Sequence, residues 1–530
     1  MFNKTINRRE FLGSAFLLAA VPTSVLTAAE GNKESVLRYA VISDVHFSSS
    51  SNSAERDRLR KALAYLGKSK FDALVIAGDV SNHGYTSELE LFRNTLYEGL
   101  PDGTQALICM GNHEFFGGND HKRAGGARQH WEKIFQMPVN THTVIKGFHF
   151  IGVSPDRGNG RAGDFGSSMN WLRLQLEEAA KDNPKRPIVV FQHYHVSETV
   201  YGSCGIDHWG IPDLKPLLDE YPQVIDYSGH SHYPSNDLRS VWQGNFTAFG
   251  TSTLSYYEMT GGIFEKFPAG HRNAAQMYIV EVKKDFSMYL KIYDVLTDSF
   301  FPTSYVVAEP GNISKYIYTS QRFANAPAPK WEEASEVKIS DIQPMSAVFT
   351  FPQAHDDSQP ESFIGSYQIT VKHEKSSVKA ETLEKEDVTP SESTSDSVVS
   401  TEDVEDYEAN NNPAPVISDR SSDDARVTST LDPDETNNNP APVVSESVPD
   451  GVKQTTTSDP DNEFTPIEAA YEQVRNPWSQ YYFKNQPKEM SYCFNNLVPG
   501  MKWTVEVRAR NVFGKLSEKA LVGTFQTPNE

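Results

Sequence analysis

Three cysteines in 530 residues, Cys109, Cys204 and Cys493, allow one disulfide at most, so the fold does not depend on cross-links in any compartment. Cys109 lies inside an apolar run and reads as a small core residue. Basic residues are also in deficit, 49 Lys and Arg against 70 Asp and Glu, a formal charge of −21. No basic stretch is interleaved with aromatics, so no structured nucleic-acid surface is expected. Beyond the N-terminus no apolar run reaches the length needed to span a bilayer.

The N-terminal apolar stretch ends near Ala29 and is interrupted by Pro22. Arg8 and Arg9 precede Phe11 and Leu12, a pattern resembling a bacterial twin-arginine export signal over residues 1–29. No lipid-attachment cysteine follows it. The expectation is cleavage near Ala28 or Ala29, no remaining transmembrane anchor, and a location in the periplasm or at the cell surface. The negative charge has a specific address: about −16 of it falls within residues 376–462. That stretch is rich in Ser, Thr, Asp, Glu and Pro, and it repeats itself, Asn410–Ser418 returning as Asn437–Ser445. Such a composition cannot bury enough surface to offset chain entropy, so residues 376–462 are expected to be a disordered acidic insertion.

What is present is a set of five short polar clusters, each closing an apolar run: Asp44 with His46, Gly78-Asp79, Gly111 to Glu114, His193, and Gly229 to His232. The preceding runs, Val36–Ile42, Ala73–Ala77, Ala106–Met110, Pro187–Phe191 and Val224–Ser228, read as strands buried on both faces. Segments with helical spacing lie between them, at Ala54–Lys68, Ser87–Leu100 and Ser168–Lys181. This alternation predicts a layered α/β domain over residues 34–300, with ligands gathered beyond the carboxyl ends of the strands. Met277–Val282 and Met288–Tyr293 read as its closing hairpin, and 301–326 as a connecting segment.

The residue types in the clusters are those of metal ligands. Continued strand alternation would put Asp44 and His46 on one face, where both can meet one ion. Asp79 has two oxygens and can bridge two cations. Asn112 offers an amide oxygen, and His193, His230 and His232 offer imidazole nitrogens, with His195 a competitor to His193. Mixed imidazole and carboxylate donors suit transition metals better than Ca or Mg.

Together the five clusters resemble the calcineurin-like metallophosphoesterase superfamily, whose signature runs D-x-H, G-D, G-N-H-[DE], H and G-H-x-H. The resemblance covers roughly residues 36 to 300 and implies a double-sheet sandwich flanked by helices. It implies one metal on Asp44, His46, Asp79 and His232, and a second on Asp79, Asn112, His193 and His230. The cofactors would be two divalent transition-metal ions, Mn, Fe or Zn. Held about 3.5–4 Å apart, two cations can acidify a bridging water and clamp the attacking and leaving oxygens. His113 would face the substrate as general acid or charge stabiliser, with Glu114 orienting its ring. Asn82 stands where purple acid phosphatases carry a tyrosine, so no iron–tyrosinate colour is expected. Arg157 and Arg161 are candidate phosphate contacts, and aromatics of 194–209, including Tyr201, together with His208, are candidate substrate walls. His83 reads as a turn residue.

From Pro327 the pattern becomes one of half-buried strands, Ser346–Phe351, Ser366–Val371, Met490–Phe494 and Lys502–Arg508. Leu497, Pro499, Gly500, Trp503, Val505, Val507, Ala509, Asn511 and Gly514 resemble the second half of a fibronectin type III domain. The resemblance implies one all-β sandwich over 327–375 and 463–530, interrupted by the acidic insertion. Such a module carries no chemistry of its own and would pack on the enzyme, cap it or hold a surface partner. The function expected overall is an exported phosphoesterase acting on a small phosphate mono- or diester. The alternatives are a phosphatase of phosphoproteins and a non-catalytic surface adhesion protein.

Overall fold

A computed structural model of the protein describes residues 34–49, 53–203, 209–260, 266–267, 270–273, 275–358, 364–373, 470–474 and 488–529. The export signal, the acidic insertion, Cys204 and His208 lie outside the described residues. Among the described residues no helix is long and apolar enough to cross a membrane.

Two six-stranded mixed sheets face each other. The first runs in the order Ser299–Val307, Met288–Asp294, Gln276–Lys283, Ser35–Ile42, Ala73–Ala77 and Gln105–Cys109, its last three strands parallel. The second runs Val241–Gln243, Thr247–Gly250, Val224–Ser228, Ile188–Gln192, Phe148–Gly152 and Thr141–Ile145, with four parallel strands inside. Strand alternation explains the layering. Tyr39 and Val41 point inward to meet Phe150, Val189 and Tyr227 of the other sheet. Ala40 and Ile42 point outward to Leu59, Leu63 and Phe92 on helices Ala54–Leu66 and Thr86–Gly99. The second sheet is covered likewise by helix Met169–Asp182. Both faces of each central strand are therefore buried, which is why their sequences are continuous apolar runs. Between the sheets the hydroxyls of Tyr39 and Tyr227 satisfy each other at 2.9 Å.

The segment expected to be a connector belongs in part to the first sheet. Ser299–Val307 pairs antiparallel with Met288–Asp294, with a bulge between Lys291 and Tyr293 near Pro302. Proline is tolerated because this is an edge strand. Further along, the Tyr316 hydroxyl donates to the Pro222 carbonyl at 2.7 Å, and the amides of Ile317 and Tyr318 donate to Gln243.

One residue in the second sheet violates the apolar rule. Asp226 is fully buried on the helix-covered face of Val224–Ser228, and neither of its oxygens has a hydrogen-bond partner among the described residues. Burial pushes its carboxyl up to about 8, slightly offset by the neighbouring Gln192 amide. Below pH 4 both folded and unfolded chains hold the proton, and nothing is lost. Between pH 4 and 8 only the unfolded chain ionises, so Asp226 erodes stability as pH rises. Asp226→Asn is expected to flatten that loss. Denaturant melts of chelator-treated protein at pH 5 and pH 8 check it, the variant's gain being a few kcal/mol larger at pH 8 than at pH 5, at about 1.4 kcal/mol per unit.

The C-terminal strands form a second core. Lys338–Ser340, Ser346–Pro352 and Glu489–Asn495 make one sheet. Ala470–Val474, Ser366–His373, Lys502–Arg510 and Leu521–Gln526 make another, in that order. Phe349, Phe351, Tyr367, Ile369, Trp503 and Val505 fill the space between them. Chain from both sides of the insertion thus pairs in the same sheets. The module meets the connecting segment where Phe513 packs edge-on against Phe323 at 5.2 Å, and within the module Asn511 donates to the Pro327 carbonyl.

Candidate metal centre

All five polar clusters lie just beyond the carboxyl ends of parallel strands. Asp44, Asp79 and Asn112 follow strands of the first sheet, and His193, His230 and His232 follow strands of the second. Three overlapping groups of donors converge: Asp44 with His46 and His232, His46 with Asp79 and His113, and Asp79 with His193 and His230. Within each group the donor atoms lie inside 4.8 Å of one another. Asn112 joins the third group, its Oδ1 3.0 Å from His193 Nε2. Asp79 Oδ2 stands 3.1 Å from His193 Nε2 and 3.8 Å from His46 Nε2, between the two ends of the cluster.

Asp44 and His46 do not meet by strand alternation as expected. The strand ends at Ile42, and Asp44, His46, Asp79, His230 and His232 all adopt left-handed backbone, with φ of 51°, 53°, 50°, 74° and 58°. These conformations are costly for residues with a Cβ and persist only where surrounding structure over-determines them. Here Ser43 Oγ and the His230 amide donate to the Asp44 carboxylate, and Thr253 Oγ1 donates to the Asp44 carbonyl. Two glycines make room. A Cβ on Gly111 would fall 2.1 Å from Asp79 Oδ1, and one on Gly229 would fall 2.3 Å from Asp44 Oδ2.

Hydrogen bonds also settle which imidazole nitrogen faces inward. His193 Nδ1 is spent on the Ala77 carbonyl at 3.0 Å and His232 Nδ1 on the Tyr256 carbonyl at 2.8 Å, which turns both Nε2 atoms inward. Burial alone would push the Asp44 carboxyl up, but the charge and hydrogen bond of His232 outweigh it and hold it at about 2. Asp79 is likewise buried yet held well below the usual carboxylate range by His193 and His113. Burial, then the charge of His232, pushes His46 down to about 3. Against burial in both cases, the Asp79 charge lifts His193 to about 9 and the Asp44 charge lifts His232, so a cation binding here displaces protons from those two rings.

His113 gives its Nδ1 proton to the Asn82 carbonyl at 2.7 Å, so Nε2 faces the cluster, 3.8 Å from Asp79 Oδ2. Glu114 does not orient this ring, contrary to expectation. It follows His113 in a single 3₁₀ turn, and its side chain leaves in a different direction, into the protein. There it accepts from the amides of Gly111, Asp79 and Ser81 and from Ser81 Oγ, at 2.7, 3.1, 3.0 and 2.9 Å. Burial and the Asp79 charge push its carboxyl up to about 7 despite these donors. Glu114 therefore ties the second and third clusters together from beneath.

His195 is not brought to the cluster. It is buried, with Nδ1 on Ser228 Oγ and Nε2 on Ser231 Oγ, both at 2.8 Å, so neither nitrogen is left to face an ion. It braces the turn that presents His230 and His232. His195→Ala is expected to weaken metal retention by about 10–100-fold, with partial recovery in His195→Gln. Titration against a competing chelator measures it.

Arg157 and Arg161 are exposed, and neither lines the cleft beside the cluster. Tyr201 is buried under Arg239 and bonded to Thr260. His83 bonds to Glu88 outside the centre. Sequence reasoning missed Tyr256, whose ring lies 4.3 Å from His232 and 5.8 Å from His46, and did not single out Trp209, edge-on to His230 at 5.0 Å. The loop after the last ligand carries no motif, and its only signal was a run of Ser, Thr and Tyr at 251–257.

Residues 37–234 match the calcineurin-like phosphoesterase family. Over 184 residues the chain is 26% identical to a probable glycerophosphodiester phosphodiesterase GpdQ of Arcobacter nitrofigilis, covering 32% of this chain and 60% of that protein's length. Among solved structures, a dimetal phosphatase from Danio rerio aligns with TM-score 0.37 and 11% identity over 52% of this chain and all of the other. The purple acid phosphatase PPD1 from yellow lupin seeds aligns with TM-score 0.39 and 13% identity over 54% and 56% of the two chains.

Proposed function

We propose, from the premise that residues 37–234 form a calcineurin-like phosphoesterase domain, that this protein is a metal-dependent phosphoric ester hydrolase acting on small phosphate mono- or diesters. The observation that carries this reading is the convergence of three donor groups that share His46 and Asp79, built from the strand ends of both sheets.

The donor set fits two divalent cations. Two buried carboxylates and four buried or half-buried imidazoles, with an amide oxygen, crowd nitrogens of His46 and His232 to 3.0 Å and of His193 and His230 to 3.2 Å. Asp44, His46, Asp79 and His232 would hold one ion, and Asp79, Asn112, His193 and His230 the other. Two bound ions of the Mn, Fe or Zn kind supply Lewis acidity toward the phosphoryl oxygens and toward water. The chain's own residues do the rest. Asp79 fixes the two halves of the centre relative to each other. His113, its Nδ1–H anchored on Asn82, presents Nε2 to give a proton to the leaving oxygen or to stabilise phosphoryl charge. The relative named as a glycerophosphodiester phosphodiesterase supports including diesters among the substrates.

Two further readings belong here. The order of three strands facing four, with Ser346–Pro352 central in one sheet and Ser366–His373 and Lys502–Arg510 central in the other, supports a fibronectin type III-like module. Arg8 and Arg9 support export by a twin-arginine route. The test of function is direct: purified protein reloaded with Mn, Zn or Fe is offered p-nitrophenyl phosphate and bis-p-nitrophenyl phosphate. Metal-dependent release of nitrophenol is expected, and metal shown bound with no turnover of either ester would sink the hydrolase reading.

A further inference from the structure

We propose that the cleft beside His46 receives the leaving group of the phosphate ester, and that Arg272 selects esters whose leaving group carries an anionic group of its own. This inference rests on the hydrolase reading and adds a substrate class to it.

The cleft has a volume of about 390 Å³, enough for a group the size of a small metabolite. His46, Asn82, Glu55, Tyr256, Phe267 and Arg272 are among its walls. Its position relative to His113 assigns its occupant. The His113 ring packs edge-on against His46 at 4.5 Å and is anchored on the Asn82 carbonyl, so the two residues that fix His113 also line the cleft. His46 is thus a wall shared by the donor cluster and the cleft, and an alcohol that takes the His113 Nε2 proton leaves into the space beside it.

The charges around the cleft point to an anion. Arg272 is exposed, and its guanidinium lies 5.6 Å from the centre of the Tyr256 ring. That ring in turn contacts His232 and His46, which places Arg272 one side chain away from the ligand histidines. Glu55 is the acidic wall, but it answers to Arg58, 4.0 Å away. Arg58 is buried and donates to the carbonyls of Leu254, Ser255 and Arg272. It thereby holds the backbone on either side of Tyr256 and fixes where residue 272 begins. Burial depresses the Arg58 pKa, the Glu55 charge opposes that, and the charge of nearby Arg272 adds to it. His271 lies on the same wall. With Glu55 paired to Arg58 behind the wall, the Arg272 guanidinium is the charge that faces the cleft, and a planar guanidinium binds a carboxylate or phosphate through two parallel hydrogen bonds.

The test uses metal-loaded full-length protein and two kinds of measurement. Calorimetric binding compares non-hydrolysable phosphonate analogues of glycerol 3-phosphate, of 3-phosphoglycerate and of propane-1,3-diol bisphosphate. The two analogues with a second anion are expected to bind about tenfold more tightly than the first. Arg272→Ala and Arg272→Gln should bring all three to parity. Equal binding by the unaltered protein, or a preference that survives both substitutions, overturns the proposal. A preference for only one of the two anionic analogues supports it and names the anion. Kinetics on the parent esters should show the same pattern, as a rise in KM of the Arg272 variants for the two anionic esters. No turnover of any ester would count against the hydrolase reading alone, because the binding comparison stands apart from it.

Discussion

Asp79→Asn is expected to cost the protein a cation and to reduce turnover by about 10³ or more. The substitution is close to isosteric. The amide oxygen can still accept from the His113 backbone N–H, which lies 3.0 Å from Asp79 Oδ1. What disappears is the charge and the second equivalent oxygen, the one 3.1 Å from His193 Nε2. Only a carboxylate can serve both ends of the donor cluster at once, and Asp79 appears in two of its three groups. Losing one cation from a pair removes several kcal/mol of charge stabilisation in the transition state, and about 1.4 kcal/mol corresponds to a factor of ten. The measurement is metal content per chain by elemental analysis alongside steady-state turnover. Two ions retained with turnover within tenfold of the unaltered protein would remove Asp79 from the bridging role.

His113→Ala is expected to leave metal content unchanged and to lower turnover by about 10²–10⁴ on esters with poor leaving groups. The loss should be much smaller on p-nitrophenyl phosphate, whose leaving oxygen hardly needs a proton. This contrast separates proton donation from a general disturbance of the centre. The ring is a quarter exposed, so water can take its place beside the carbonyl of half-buried Asn82. A uniform loss across good and poor leaving groups would instead assign His113 to charge stabilisation.

The parts of this molecule that could be read from sequence were those where burial on both faces leaves no choice of residue. Ala73–Ala77 and Val224–Ser228 coincide with observed strands to the residue, since Gly78 and Gly229 end them sharply. The donors that converge in the structure were legible because each type announces itself. The geometry joining them was not. Nothing in Asp44-Val-His46 reveals left-handed backbone at both ends, and the expected strand alternation reached the right pairing by the wrong route. Glu114 was misread because adjacency in sequence suggested adjacency in space, whereas its side chain turns toward three backbone amides. Ser299–Val307 was hidden by Pro302 and by the exposure of an edge strand. In the C-terminal module, Leu521–Gln526 was obscured by Gly523, where a Cβ would fall 2.9 Å from Ile339. Tyr256 and Arg272 sit in a loop whose position follows from tertiary contacts alone.

The strand order of the first sheet has a consequence for the order of assembly in time. Ser35–Ile42 lies at its centre, with Val41 opposite Tyr278 on a strand synthesised long after it. Until residues 276–307 emerge, the strand that leads into Asp44 has an unpaired edge, although every donor up to His232 already exists. Contacts so distant in sequence form late and slowly. A nascent chain halted before residue 276 would therefore possess all the donors without the strand that pairs with Ser35–Ile42 on that side.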